Sequence, residues 1–222
     1  KDVTVSAHSK DLDVMPAAWD GVHSKIAEVT LGFWILKILC TTLGETAGDF
    51  LSMTLGLGYY AAFGITFAIL AILIVAQVKA KNQHPMLFWS TIVATTTAGT
   101  EISDMMDRSF GLGYAAGSSI LTAALVATLA VWYVRERNLR VYPISRPGIE
   151  VLLGVAVVFS NSLGTAFGDF LTDNMALSYV QGAMLTAGII GVVALLHYTR
   201  KVNDVVLFWL AFVFTRPFGA TF

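Results

Sequence analysis

The sequence predicts an all-α transmembrane fold of seven spans, built from parallel two-helix repeats around polar odd-numbered helices. Three observations predict it. The 222 residues are 56% hydrophobic and only 13% charged, with mean hydropathy +0.70, whereas a soluble domain is about a quarter charged. Apolar stretches of the roughly 20 residues that a hydrocarbon core requires fall near 28–50, 59–80, 86–105, 113–134, 149–171, 179–199 and 204–222. A motif also recurs within the chain, and such periodicity is read before any local pattern. The stretches are continuously apolar rather than alternating, and too long for barrel strands of about ten residues.

Residues 1–27 form a polar N-terminal tail in which Val14 to Lys25, with Pro16 and Trp19, reads as a short surface segment or lead-in. The first apolar run is a full span, which is not the pattern of a cleaved signal peptide. Residues 28–222 then form one transmembrane domain of repeats at about 28–82, 83–137 and 147–201, with a half repeat at 202–222. The motif is Phe33-Trp34, Gly44, Asp49, Gly58-Tyr59; then Phe88-Trp89, Gly99, Asp104, Gly113-Tyr114; then Gly164, Asp169, Ser178-Tyr179; then Phe208-Trp209 and Gly219. The third copy has Leu153-Gly154 in place of Phe-Trp. The fourth reaches Phe222 before its Asp, and the repeat predicts a following Gly-Asp and an eighth span.

Successive motifs are two spans apart, so all enter the membrane with one polarity. The repeats are therefore parallel, related by an axis along the membrane normal. Lys79, Lys81, Arg135, Arg137, Arg140, Arg146, Arg200 and Lys201 all lie in loops joining even spans to odd ones, with Lys1, Lys10 and Lys25 in the tail, while the opposite loops hold only Arg108. By the positive-inside rule the N-terminus and these loops are cytoplasmic, in a cell inner membrane. The net charge of −1 and scattered basic residues give no nucleic-acid surface. The partners expected are the bilayer, a small ion and a second copy of the chain.

Even spans such as Tyr59 to Ala80 are nearly all aliphatic and suit lipid. Odd spans carry the polar load. At −3, +1 and +5 from each motif glycine stand Thr41, Glu45 and Asp49; Thr96, Thr100 and Asp104; Asn161, Thr165 and Asp169; then Arg216 and Ala220. Steps of four put each set on one helix side, which lipid cannot hydrogen-bond, so that side faces the bundle interior or water. Beside it run small pairs four apart, Gly44/Gly48, Gly99/Ser103 and Gly164/Gly168, the usual device for close helix packing in lipid. With Trp34, Trp89 and Trp209 in an aromatic belt, a rise of about 1.5 Å per residue places Glu45 roughly 17 Å and Asp49 roughly 23 Å inward. Unwinding at the glycines would shift these depths and free carbonyl ligands.

Glu45, Asp49, Glu101, Asp104 and Asp169, with Thr41, Thr96, Thr100, Asn161 and Thr165, form the candidate ion-binding set. Hard oxygens favour Mg²⁺, Ca²⁺, Mn²⁺, Na⁺ or protons over zinc or copper, and Glu45 and Glu101 are the candidate metal ligands. The competing reading of the three aspartates is that they cap helix ends near water. Lys37, two turns before Glu45, and Arg216 are candidate counter-charges to the carboxylates; the alternatives are binding of an anionic substrate or locking of helices. Arg108, with Asp104 and Asp107, reads as a solvated ion pair, and the span-end Trp and Tyr as interface anchors. Pro217 is expected to kink the last span. Cys40, the lone cysteine, allows no intramolecular disulfide, and His8, His23, His84 and His197 lie in the tail or at loop edges. With no nucleophile-base pair, phosphate loop or HExxH helix in the sequence, neither an enzyme nor a cofactor beyond a bound cation is expected.

The strings FWILKILCTTLGETAGDFLSMTLGLGY, FWSTIVATTTAGTEISD, FSNSLGTAFGDFLTD and LFWLAFVFTRPFGA resemble bacterial multi-pass proteins labelled "uncharacterised membrane-anchored protein", over nearly everything after residue 28. That resemblance implies the membrane class and no particular activity. A more distant likeness is to manganese and calcium cation/proton exchangers, whose hallmark is Glu-x-Gly-Asp before a basic and a hydroxyl residue. Glu45-Thr46-Ala47-Gly48-Asp49 has one residue more between Glu and Gly, Phe50 stands at the basic position, Ser103 replaces Gly in the second copy, and Ala166 stands where Glu101 does. The function expected is exchange of a cation, with a divalent manganese-like ion among the candidates, for protons. A passive channel, an anion carrier using Lys37 and Arg216, and a non-transporting membrane subunit are the alternatives.

Overall fold

The computed structural model describes residues 27–80, 82, 84–142, 144 and 146–221. The expectations about Lys1, His8, Lys10, Val14 to Lys25, His23, Lys81 and Phe222 lie outside them. The described residues form seven helices: α1 Leu31–Asp49, α2 Gly58–Lys79, α3 Pro85–Asp104, α4 Gly113–Glu136, α5 Pro147–Asp169, α6 Tyr179–Thr199 and α7 Asp204–Thr221. Local chemistry sets their ends. Thr30 caps α1 by accepting from the Phe33 N–H at 3.3 Å, and Ser178 with Gln181 forms a capping box on α6. Pro85 and Pro147 open α3 and α5, where a missing N–H costs nothing.

Each of the first three odd helices continues past its motif aspartate into a five-residue π turn, Phe50–Thr54, Met105–Ser109 and Phe170–Asn174. In the first two repeats the chain then reverses through Gly56-Leu57-Gly58 and Gly111-Leu112-Gly113. All four glycines have φ between 65° and 74°, a region open to glycine without steric cost. The odd helices remain helical through Gly44, Gly99, Gly164 and Gly219, and α7 runs through Pro217 to Thr221. Unwinding at the motif glycines is therefore not how this fold uses them. Without a Cβ they let neighbouring helices approach, and the backbone keeps its own hydrogen bonds.

The four odd helices form a closed ring: α1 packs on α3, α3 on α5, α5 on α7, and α7 back on α1. The even helices sit outside it, α2 against α3, α4 against α5 and α6 against α7. Each repeat thus hands its second helix to the next. On α1, Leu31, Ile35, Leu39 and Leu43 remain exposed. Four helices, α2, α4, α6 and α5 with its π turn, are long and apolar enough to cross a membrane. α1, α3 and α7, which carry Lys37, Glu45, Glu101 and Arg216, are not among these four. The ring removes those groups from the bundle surface: Lys37, Glu101 and Arg216 are each 0% exposed.

Candidate functional site

One contact recurs around the ring and holds it closed. The residue three before each motif glycine packs onto the motif glycine of the preceding odd helix. A Cβ built on Gly44 would lie 2.6 Å from the Thr96 Cβ, on Gly99 2.9 Å from the Asn161 Cβ, on Gly164 2.5 Å from the Arg216 Cβ, and on Gly219 2.9 Å from the Thr41 Cβ. Four heterologous contacts of one type close on themselves, as in a cyclic oligomer, here within a single chain. Thr41, Thr96, Asn161 and Arg216 are consequently fully buried in one layer.

The odd occupant of that layer makes the principal charge contact. Arg216 pairs with the Glu45 carboxylate, contacts the Thr100 hydroxyl and donates to the Thr41 carbonyl at 3.3 Å. Thr100 donates to the same Glu45 oxygen at 2.8 Å. These contacts join α7, α1 and α3. Thr41, Thr96, Thr100 and Thr165 each donate to a carbonyl of their own helix, which leaves hydroxyl lone pairs as neutral acceptors.

Lys37 corrects the sequence expectation. Its ammonium meets no carboxylate; it donates to Asn161 Oδ1 at 3.2 Å and lies 4.3 Å from the centroid of the Phe212 ring. Asn161 in turn donates to Thr95 at 3.3 Å. The reason is geometric. Helical side chains lean toward the N-terminus, so Lys37 points away from Glu45, already about 12 Å further along the axis.

Glu101 is 0% exposed and neither of its oxygens has a hydrogen-bond partner. The neighbouring Ser52 hydroxyl is committed at 2.9 Å to the Gly48 carbonyl. Gly48 leaves the room that Glu101 occupies: a Cβ there would lie 3.3 Å from Glu101 Oε1. Glu45, Asp49, Glu101 and Asp104 are close enough for their charges to act on one another, and Asp169 joins through Asp104 and Glu45. Among the described residues no three His, Cys, Asp or Glu side chains are grouped so as to hold a metal ion. The Glu45 and Glu101 pair, singled out as metal ligands, thus lacks a third protein ligand of these types here.

Asp49, Asp104 and Asp169 make no side-chain capping bond, and the helix continues through each. Capping is therefore not their role. Arg108 is likewise more than a solvated pair: its Nε lies 3.6 Å from Asp104 Oδ1, whose side chain is only 4% exposed. It also donates to the Tyr59 hydroxyl at 3.5 Å. Nearby, Tyr114 donates to Asp173 at 2.5 Å, tying α4 to the third π turn. Sequence reasoning passed over Ser52 and Asp173, although Asp173 follows Asp169 by one helical turn.

The opposite end of the ring is closed by aromatic rings. Phe33 contacts Trp34, Trp89 and Phe208; Trp34 contacts Phe208; Trp132 and Trp209 meet edge to face at 6.3 Å. Trp209 is 7% exposed and Trp132 1%, so these two are core residues and not interface anchors. The Phe-Trp pairs face one another because the parallel repeat sets them at one level. The bundle thus has an acidic end, a buried charged middle and an aromatic-sealed end.

Residues 32–83, 87–138 and 155–203 match the family model described as a Repeat of Unknown Function (DUF347). Each of these three segments overlaps one of the three full repeats read from the motif. No curated protein and no solved structure matches the chain, so the likeness to manganese and calcium exchangers gains no support there.

Proposed function

The chain belongs to the family defined by the Repeat of Unknown Function (DUF347), and from that premise we propose that it is a secondary transporter exchanging a small cation for protons along the axis of its four-helix ring. The observation that carries the reading is Glu101: a carboxylate 0% exposed, without a hydrogen-bond partner, within a helical membrane bundle. Burying an unpaired carboxylate costs far more than a protein this size can offset, so the group must hold a proton or a cation. A group that alternates between the two is an exchange site.

The surroundings support that role. Asp49, Asp104 and Asp169 form an acidic mouth that concentrates cations. Thr41, Thr96, Thr100 and Thr165 offer neutral oxygens, and the Arg216–Glu45 pair bars the axis until its carboxylate is drawn away. With no cluster of three acidic, Cys or His ligands among the described residues, protons and a monovalent cation fit better than a divalent ion, which takes six or more oxygens. The aromatic-sealed end is the cytoplasmic one, since Lys79, Arg135, Arg137, Arg146 and Arg200 lie on that side.

The test is purified protein in liposomes containing a pH-sensitive dye, challenged in turn with Na⁺, K⁺, Li⁺, Mg²⁺, Ca²⁺ and Mn²⁺ gradients. The proposal expects one cation to drive opposite proton movement without a steady current of its own. Current without proton coupling points to a channel, and silence across the panel to a non-transporting subunit. Anion carriage would instead appear as uptake abolished by Arg216→Gln and spared by Glu101→Gln.

A further inference from the structure

The second repeat carries a buried acid that the exchange site described above does not include. Three residues after the motif aspartate the full repeats read Ser52, Asp107 and Thr172. The two hydroxyls each donate to the glycine carbonyl one turn back, Ser52 to Gly48 at 2.9 Å and Thr172 to Gly168 at 3.5 Å. Asp107 stands at the same place one turn after Ser103, and an ionised carboxylate has no proton to donate. Both Asp107 oxygens are buried with no hydrogen-bond partner among the described residues, as is the hydroxyl of Ser103, a residue 0% exposed. Ser103 lies close enough to act on Asp107. Room for the acid comes from α4: a Cβ on Gly117 would lie 2.5 Å from Asp107 Oδ1, and the first repeat has Ala62 where the second has Gly117. Ser52 with Ala62 thus becomes Asp107 with Gly117, a larger side chain fitted by the loss of a methyl group.

We propose that Asp107 is a second proton-binding carboxyl, held neutral between α3 and α4 beside Ser103 and discharged in the exchange cycle together with Glu101. It rests on the transport reading above. Arg108 is the charged group that acts on Asp107, but its guanidinium is turned to Asp104 and the Tyr59 hydroxyl. The neighbouring helices α2 and α4, which pack on this turn, bring Tyr59 and Tyr114, whose hydroxyls meet Arg108 and Asp173. None of these groups hydrogen-bonds the buried carboxylate, and burying it ionised without a partner is costly. A proton removes that cost and lets Asp107 make the bond to the preceding turn that Ser52 and Thr172 make. A hard cation such as Mg²⁺ or Ca²⁺ is the poorer occupant, because it takes about six oxygens where this site offers one carboxyl and one hydroxyl, with Arg108 beside it. The repeat adds a second argument: the neighbours Ser52 and Glu101 correspond one repeat later to Asp107 and Ala166. Each pair contains one buried acid, supplied from opposite members.

The experiment reads protonation and flux separately. Purified protein at neutral pH is treated with dicyclohexylcarbodiimide, which modifies protonated carboxyls in apolar surroundings, and the modified peptides are quantified by mass spectrometry. Labelling at Asp107 should exceed that at Asp204, whose side chain is 79% exposed, by at least about tenfold, since carboxyls in water are almost wholly ionised at neutral pH. In liposomes, the slope of log flux against pH should approach about 2 in wild type, the number of titrating sites, and about 1 in Asp107→Asn. A purely structural role would lower the rate and leave the slope. Asp107→Ser combined with Gly117→Ala, which rebuilds the Ser52 and Ala62 pair of the first repeat, serves should Asp107→Asn not fold. Asp107 labelled no more than Asp204, or a wild-type slope in both variants, overturns the proposal even where wild-type flux stands. Labelling at Asp107 without any wild-type flux overturns the transport reading and leaves Asp107 a protonated site.

Discussion

Substituting Gly44 by alanine tests the ring's closing contact. The new Cβ would lie 2.6 Å from the Thr96 Cβ and 3.0 Å from the Thr97 backbone nitrogen. Carbon atoms rest at about 3.5–4.0 Å, so α1 and α3 must part by about 1 Å. A rotamer change cannot relieve it, because one obstacle is backbone. Overpacking of this kind costs about 1–3 kcal/mol, opposed by about 0.4–1 kcal/mol from the stiffer unfolded chain. A net loss of about 1–2 kcal/mol is expected, which at roughly 2–4 °C per kcal/mol lowers Tm by about 2–8 °C for a chain of this length. Gly64→Ala and Gly188→Ala are the matched controls. Nothing lies within 4 Å of a Cβ at either position, and both should hold or raise Tm. Thermal melts of the purified protein in detergent, read by circular dichroism, decide it, with Thr96→Gly expected to recover part of the loss. A Gly44→Ala melt indistinguishable from Gly64→Ala would refute the close approach and with it the ring.

Other outcomes follow from the same geometry. Glu45→Gln leaves the fully buried Arg216 charge uncompensated and should cost about 3–5 kcal/mol; Arg216→Met leaves a carboxylate that is 18% exposed and should cost less, and a double-mutant melt should show the pair strongly coupled. Trp209→Ala empties the seal beside Trp132 and should lower stability by about 3–5 kcal/mol, whereas Tyr60→Ala, at a residue 61% exposed, should fall within about 0.5 kcal/mol. Tyr114→Phe removes one bond to Asp173 and should cost about 0.5–1.5 kcal/mol in the same melts, with the α1–α7 contacts untouched.

Much of this arrangement was legible in the motif. Recurrence of the motif glycine at Gly44, Gly99, Gly164 and Gly219 identified the repeat and the common direction of the odd helices, and the four-residue steps from Thr41 to Asp49 identified the buried side. What periodicity cannot supply is which neighbour each helix meets. That Gly219 of α7 receives Thr41 of α1 depends on ring closure, a property of the whole chain and of no local window. Lys37 illustrates a second limit. Its spacing from Glu45 is the right multiple of a turn, yet side-chain direction along the helix carries it to Asn161 and Phe212. The π turns after Asp49, Asp104 and Asp169 have no simple sequence signature, so capping stood as a competing reading of those aspartates beside ion binding. The Phe-Trp pairs read as interface anchors because amphipathic rings at span ends normally are, and only their convergence at one level of the ring makes them a seal.

The measurement that bears most directly on the account is proton-coupled flux in Glu101→Gln, compared with wild type in the same liposomes under an imposed pH gradient. Glutamine keeps the shape of the side chain and cannot exchange a proton for a cation. The account predicts that counter-transport falls to the protein-free background while the thermal melt is unchanged or improved. Wild-type rates in Glu101→Gln would contradict it.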